Sequence, residues 1–202
     1  MNSTKPLDNQ LTHIPLMLAT ACQQGDVLLQ LADNSLFGQT ARLVGGADAA
    51  AKGVPVCQHL LVVTRRGRNR DVLATIESNW TIRERDLDKL DAGRYIVLRH
   101  RTGRPDQIAQ GITWARTRLT LRYGYENLVR VGLQLLFKIK LWAPDDSQYT
   151  ICSEFAGDIF EHAGLPLGCH DHDADLKPWD YLCPPVSQHF KVLGQFTVPP
   201  TR

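Results

Sequence analysis

The sequence lacks any long apolar run, any strong excess of charge of one sign, and any internal repeat. No stretch approaches the roughly 18 consecutive apolar residues of a membrane span, so we expect no transmembrane segment. The formal net charge of the 202 residues is only +2. Such a small charge does not indicate nucleic acid or an anionic membrane as the main partner. Hydrophobic residues make up 43% and charged residues 22% of the chain, which is typical of a soluble globular protein.

The cysteines also lack the pattern of a disulfide framework. They are odd in number and widely spread, at Cys22, Cys57, Cys152, Cys169 and Cys183. Small disulfide-stapled domains carry an even number of cysteines at closer spacing. The pattern therefore favours a reducing compartment, or one catalytic thiol among structural cysteines.

The N-terminus carries a short apolar run, Ile14–Cys22, which ends in small residues before a cysteine. The run faintly resembles a lipoprotein cleavage site, but it is short and interrupted by Pro15, unlike the apolar region of a signal peptide. We therefore predict an N-terminal arm over 1–24 and a single domain over 25–202. A chain of this length is sufficient for one domain with a core of its own.

Hydrophobic periodicity changes between the two halves of the domain. The first half predicts a β-rich meander, with strands at 27–31, 59–64, 71–77 and 95–99. Residues 33–56 are rich in glycine and alanine, and part of that segment is compatible with a helix. The second half predicts helices that begin near Pro105 and over Leu128–Ile139, followed by a late strand near 191–196. Strands segregated from helices predict an α+β domain.

The segment 148–164 has the spacing of an amphipathic helix. Its apolar residues recur every three to four positions, at Ile151, Phe155, Ile159 and Ala163. Thr150 is suited to the N-cap and Gly164 to the C′ position, so Cys152 is predicted in the first turn. Free backbone N–H groups and the helix dipole favour a thiolate there. Most helical cysteines are small buried hydrophobes, so position alone leaves a structural role open.

A thiol nucleophile needs a base, a group that orients the base, and donors for the oxyanion. His59 opens a predicted strand and is the candidate base. Glu77 ends the predicted hairpin partner of that strand, so cross-strand pairing brings its carboxylate near the imidazole. The backbone N–H of Cys152 is the natural oxyanion donor, and Tyr149 is a candidate second donor. Taken alone, His59 also fits an edge-of-core histidine and Glu77 a solvated strand end.

These residues together resemble a known family. The motifs are Gly25-Asp26-Val27-Leu28-Leu29, a histidine that opens the strand His59-Leu60-Leu61-Val62-Val63, Ile76-Glu77, and Cys152-Ser153-Glu154-Phe155. They are similar to the circularly permuted NlpC/P60 papain-like hydrolases of the YiiX/YaeF type, over about residues 25–165. Ordinary papain-like enzymes place the cysteine before the histidine, whereas here His59 precedes Cys152.

The resemblance implies a papain-like α+β fold in permuted order, an antiparallel sheet with packed helices. It also implies a Cys152–His59–Glu77 triad. The sequence departs from the family in three places. Leu60 and Leu61 stand where the family has a small residue soon after the histidine, an alanine- and glycine-rich insert precedes His59, and the family's aromatic is displaced to Tyr149.

A second candidate site is the segment 168–175, which contains Cys169, His170 and His172 with Cys183 further along. These residue types ligate zinc, but their spacing matches none of the usual closed zinc patterns. A polar surface loop explains the segment equally well. A third candidate is Leu128–Trp142 as an amphipathic helix for a membrane or a partner, although packing into the core accounts for the same pattern.

The sequence therefore predicts a cysteine hydrolase of amide or ester bonds that needs no cofactor. The resemblance implies a stem peptide of the bacterial cell wall or an acyl amide as substrate. The lack of a convincing signal peptide favours a cytoplasmic enzyme or a phage virion component. The alternative is an inactive structural or assembly protein that keeps the fold within a larger assembly. No nucleic-acid partner is expected.

Overall fold

The structure is a computed structural model that describes residues 21–66, 72–79, 81–121, 151–168 and 176–200. Its helices and strands follow in the order β1 (Val27–Leu31), α1 (Leu36–Ala51), β2 (Cys57–Arg66), β3 (Val72–Asn79), β4 (Thr81–Asp86), β5 (Gly93–His100), α2 (Pro105–Arg116), α3 (Cys152–His162) and β6 (Phe190–Val198). Short 3₁₀ helices span Leu87–Lys89, Pro178–Leu182 and Val186–His189. The expected α+β class is confirmed for the part of the chain that is described.

The strands form one antiparallel sheet of six, in the order β4-β3-β2-β1-β5-β6. Strands β1, β2 and β3 follow one another as the predicted meander, and β4 continues it. The meander prediction is wrong for β5, which crosses back and pairs with β1. As a result β1 lies in the middle of the sheet, and all five of its residues are buried. A strand covered on both faces is apolar along nearly its whole length, and residues 27–31 are apolar except for Gln30.

One strand was missed by the sequence prediction, and one helix confirms that part of 33–56 is helical. Strand β4 was not predicted, because its residues Thr81-Ile82-Arg83-Glu84-Arg85-Asp86 contain only one apolar side chain. Helix α1 occupies 16 residues of the segment that is rich in glycine and alanine. It begins where the Ser35 side chain accepts a hydrogen bond from the backbone N–H of Gly38, an ordinary N-cap.

The core has two parts, because alternate residues of a strand point to opposite faces of a sheet. On one face of the sheet, Val27 and Leu29 belong to a cluster that also contains apolar residues of α2 and α3. A second cluster contains Leu28, Leu61 and Val63 from the same strands. Both faces of the central strands are therefore buried against other parts of the chain.

Helices α2 and α3 cross closely at Gly111. A Cβ atom on Gly111 would lie 2.2 Å from the backbone oxygen of Ile159 on α3, so only glycine fits there. Beyond its end, α3 is followed by Gly164 with φ of +67°, as predicted for its C′ position. The contact at Gly111 fixes the distance between α3 and the neighbouring helix.

The predicted Gly25-Asp26 pair joins β1 to β5. Asp26 is 1% exposed, and its two carboxylate oxygens accept hydrogen bonds from Nε and Nη2 of Arg99 at 2.7 and 2.8 Å. Its Oδ2 also accepts from the backbone N–H of Gln23 at 2.7 Å. The pair therefore has a structural role at the start of the central strand.

Several predictions fall on residues outside the described ranges, namely most of the arm over 1–24, most of the turn between the predicted strands 59–64 and 71–77, and the helix over Leu128–Ile139 with the wider segment Leu128–Trp142. Among the described residues, no helix combines the length and apolar character that a membrane span requires.

Candidate active site

The site begins at the first turn of α3. Cys152 is the first helical residue, so the prediction that places it in the first turn is correct. Ile151 occupies the N-cap, and the predicted cap Thr150 lies outside the described residues. Ile151 has no side-chain acceptor, and instead Glu154 Oε2 accepts a hydrogen bond from the Ile151 backbone N–H at 3.2 Å. A carboxylate at this end of a helix also interacts favourably with the dipole.

The serine of the Cys-Ser-Glu motif holds the helix to the following chain. Its hydroxyl donates to the backbone carbonyl of Leu176, and the Tyr181 hydroxyl donates to the Ser153 carbonyl at 2.9 Å. Ser153 is fully buried, so these two hydrogen bonds replace those that its hydroxyl and carbonyl groups would make with water. Glu154 and Ser153 thus orient the start of α3, and Cys152 remains as the side chain with a reactive group.

His59 and Glu77 are in direct contact. Strand register pairs Glu77 with Leu61, which places Glu77 diagonally across from His59 on the neighbouring strand. His59 Nε2 lies 2.7 Å from Glu77 Oε2. The two residues are 6% and 1% exposed. The proximity expected from the hairpin is therefore present, at the length of a charge-assisted hydrogen bond.

The electrostatics of His59 connect it to Cys152. Burial by itself lowers the pKa of His59, but hydrogen bonds and negative charge from Cys152 and Glu77 outweigh burial and raise the pKa to about 9. The thiol is thus one of two partners of the imidazole, although the two residues are 93 positions apart in the sequence. The imidazole remains protonated at neutral pH.

Glu77 has cationic partners on its other side. Arg83 Nε donates to Glu77 Oε1 at 2.8 Å, and Arg85 Nε lies 3.0 Å from the same oxygen. The Arg85 Nε–H is not aligned as a hydrogen bond, so that contact is an ion pair. Burial raises the pKa of Glu77, but the hydrogen bond and charge of His59, followed by the two arginines, lower it to about 2.

The other described cysteines have different surroundings. Burial raises the pKa of Cys22 and of Cys57 to about 12 each, in both cases with help from neighbouring negative groups. Burial also raises the pKa of Cys183. Thiols of this kind are poor nucleophiles. Cys152 is the described cysteine that combines a helix start with a protonated imidazole.

Some predicted site residues cannot be placed. Tyr149, Cys169, His170 and His172 lie outside the described residues. Within the part of the chain that is described, no group of three histidine, cysteine, aspartate or glutamate side chains is arranged to hold a metal ion.

The sequence analysis missed Arg83 and Arg85. An available signal was the alternation Arg83-Glu84-Arg85, which places both arginines on one face of an extended strand. That signal is weak, because charged residues in alternation are also common on solvated segments.

The sequence matches no protein-family model and no curated protein. Its fold is similar to the crystal structure of the metalloprotein YiiX from Escherichia coli O157:H7, with a TM-score of 0.58. The identity is 14%, over 89% of this chain and 99% of that chain. A likeness at this identity shows a shared fold, which is YiiX-like and consistent with the resemblance noted in the sequence.

Proposed function

We propose that the protein is a cysteine hydrolase of amide or ester bonds, built on a papain-like NlpC/P60 fold in circularly permuted order. The observation that carries the proposal is the 2.7 Å contact of His59 Nε2 with Glu77 Oε2, together with Cys152 as a second hydrogen-bonding group that raises the pKa of His59. The YiiX-like fold supports the permuted order, since His59 comes from an early strand and Cys152 from a later helix.

The contact with Glu77 assigns the roles of the two ring nitrogens. Glu77 is ionised and can only accept, so His59 Nε2 carries the proton that it shares with Oε2. Nδ1 is then the nitrogen that exchanges a proton with Cys152. Glu77 holds the ring in this orientation and stabilises the imidazolium, as the third member of a triad does.

The reaction follows from these roles. In the reactive pair the thiol proton already resides on His59 as imidazolium, and the Cys152 thiolate forms a bond to the carbonyl carbon of the substrate. The oxyanion is held by the Cys152 backbone N–H at the helix start, where N–H groups lack intrahelical partners. His59 returns the proton to the leaving amine or alcohol as its bond to carbon breaks. Water, deprotonated by His59, then cleaves the thioester and releases the acid.

The substrates that the resemblance favours are stem peptides of the bacterial cell wall and acyl amides. Both contain the carbonyl that a thiolate attacks, and neither needs a cofactor for this step. The description of the neighbour as a metalloprotein belongs to that protein, and the residues described here provide no ligand set through which a metal step could be derived.

Selective alkylation of Cys152 tests the nucleophile. We expect iodoacetamide to modify Cys152 much faster than Cys22 and Cys57, and His59→Ala to slow this modification by about 100-fold, within the range of general base effects. Cys22→Ala, in the other core cluster, is the matched control and should leave the rate at Cys152 unchanged. Mass spectrometry of peptides locates the label. Equal reactivity of all the cysteines would contradict the proposal.

Turnover is then measured on stem peptides and on acyl amides, with Cys152→Ser as the inactive control. A release of amine that requires Cys152 supports the hydrolase.

A second candidate is a structural or assembly protein that retains the fold. Two observations favour it: Leu60 and Leu61 replace the small residue of the family, and Cys152 is only 4% exposed. For such a protein we expect slow alkylation at Cys152 that does not respond to His59→Ala.

A further inference from the structure

The carboxylate of Glu77 is held from β4 by two arginines. Register pairs Glu77 with Arg83 directly, and Arg85, two positions on, is on the same face of the strand. Arg83 Nε donates to Oε1 at 2.8 Å, and Arg85 Nη2 lies 3.5 Å from Oε2. Oε2 is also the oxygen that meets His59. Both carboxylate oxygens are therefore in contact with a cation or with the imidazole.

Arg85 is itself fixed by groups beyond the site. Its Nη1 and Nη2 atoms donate to the Asp91 carboxylate at 3.2 and 3.1 Å, and Nη1 also donates to the Lys89 carbonyl at 3.1 Å. A guanidinium held by a two-oxygen contact has one preferred orientation. The side chain of Arg83 is 45% exposed and that of Arg85 is 15% exposed, so the cluster reaches the solvent through Arg83.

A buried carboxylate needs such partners to remain charged. The Glu77 side chain has no exposed area, and burial without compensation protonates a carboxyl group. If Glu77 were protonated, its acceptor oxygen would no longer stabilise a protonated His59. The thiolate of Cys152 would then lose the cation that accompanies it. The charge of Glu77 is thus a condition for the reactive pair.

We propose that Arg83 and Arg85 are positioning residues that hold Glu77 ionised and oriented against His59, and that they thereby set the lower pH limit of the reactive Cys152–His59 pair. The inference deepens the proposed function and rests on it for the role of Cys152. The arginines do not touch the substrate, and they act through Glu77.

Titratable and charged groups face Glu77 from each element packed around it. The groups that act on Glu77 directly are His59 on β2, Arg83 and Arg85 on β4 and Tyr95 on β5. Cys152 on α3 acts on His59, and Asp91 in the loop after β4 acts on Arg85. Burial, Asp91 and Glu77 raise the pKa of Tyr95, against the charge of Arg85, so the phenol is neutral over the working range. Removal of either arginine leaves the negative charge of Glu77 less balanced, and the Glu77 carboxyl group then binds its proton more tightly.

The test is the pH dependence of alkylation at Cys152 by iodoacetamide. In Arg83→Gln and in Arg85→Gln we expect the acid limb of the profile to move to higher pH by about one unit. An adjacent opposite charge shifts a pKa by about 1–3 units, and the expected value is at the lower end of that range. The plateau rate at alkaline pH should not change, because the thiolate forms there in any case. Arg85→Lys keeps the charge and should restore most of the acid limb.

Two controls separate this role from a general loss of stability. Arg116→Gln removes another cation bound to β4, since Arg116 Nη2 donates to Glu84 at 2.8 Å, and the profile should stay as in the wild type. In a Glu77→Gln background, Arg83→Gln should produce no further shift, because the arginine acts through Glu77. A wild-type profile in both arginine variants, or an equal shift with and without Glu77, would overturn the inference.

A second measurement tests the role of the arginines without relying on the reactivity of Cys152. In Cys152→Ala protein, histidine NMR reports the hydrogen-bonded ring proton of His59 as the pH falls. We expect the Arg83→Gln and Arg85→Gln variants to lose that signal at higher pH than the parent protein. If wild-type Cys152 is not selectively alkylated, the hydrolase proposal fails while the NMR titration still decides the role of the arginines. An unchanged titration would refute the role of the arginines.

Discussion

At the scale of single residues, most members of the motifs hold the fold, and few are free to take the chemical role that we propose. In Cys-Ser-Glu, Glu154 caps Ile151 and Ser153 binds Leu176, while Cys152 is left beside the imidazole. The Gly-Asp motif also has a structural role, since the Asp26 carboxylate accepts hydrogen bonds from Arg99 and from the backbone of the turn before β1. A residue type in a motif therefore does not reveal by itself whether its role is chemical or structural.

The Asp26–Arg99 pair gives the first prediction. Asp26→Asn leaves Arg99 without its buried counter-charge, and removal of one partner of a buried pair costs about 3–5 kcal/mol. We expect about 3 kcal/mol, since the Arg99 side chain is 23% exposed and retains some solvation. Urea unfolding measures the free energy. Asp106→Asn, which breaks a solvent-exposed pair with Arg104, is the control, and an equal loss in both variants would contradict the prediction.

At the scale of elements, the position of Cys152 depends on how α3 packs. Helix α2 approaches α3 at Gly111, where no side chain fits. The beginning of α3 is held by Glu154 and by Ser153. A helix held at its start and at this close crossing presents Cys152 in one place, and precise placement is what a nucleophile requires.

The close crossing gives an element-scale prediction. Gly111→Ala gains helix propensity but forces α2 and α3 apart, and overpacking of this kind costs about 1–3 kcal/mol. Gly46→Ala on α1 is the matched control, because nothing lies within 4 Å of the added methyl group. There the propensity gain should stabilise the protein by about 0.5–1 kcal/mol. Thermal unfolding of the two variants should show shifts of opposite sign, and equal shifts would contradict the argument.

At the scale of the whole molecule, two buried histidines affect stability in opposite directions. The pKa of His59 is raised to about 9 by Cys152 and Glu77 against burial. Its stabilisation is complete below its unfolded value of 6.5 and is lost as the pH rises through 9. Burial, with the charge of His189, lowers the pKa of His100 to about 4. Its neutral form is favoured above pH 6.5, and stability is lost as the pH falls toward 4.

The two histidines therefore predict a maximum of stability near neutral pH. His100→Phe should remove the acid-side loss, which for a shift of this size is about 2 kcal/mol between pH 7 and pH 5. Phenylalanine keeps the stacking with Phe160 and removes His100 Nε2, which is buried without a hydrogen-bond partner. His59→Gln should remove the decrease in the free energy of unfolding between pH 6.5 and 9. Urea titrations from pH 5 to 9 measure both slopes, and unchanged slopes would refute the linkage.

Local features of this protein could be read directly from residue order. The helix that begins at Cys152, the apolar run of β1 and the hairpin that brings His59 near Glu77 depend on neighbours within a few positions or across one turn. The interactions that stabilise them repeat at 3.6 or 2.0 residues, so composition and spacing were sufficient. For the same reason α1 was only partly foreseen, since glycine and alanine leave little periodicity.

Features that join distant segments could not be read in this way. The return of β5 to β1, the strand β4 with Arg83 and Arg85, and the approach of α3 to His59 each depend on which apolar surfaces fit together once the chain is compact. Many pairings of strands satisfy the same alternation, and their free energies differ only through packing, buried charge and close contacts such as the one at Gly111. For that reason the sequence could indicate Cys152 and His59 as candidates, whereas the arginines that contact Glu77 appear only in the folded chain.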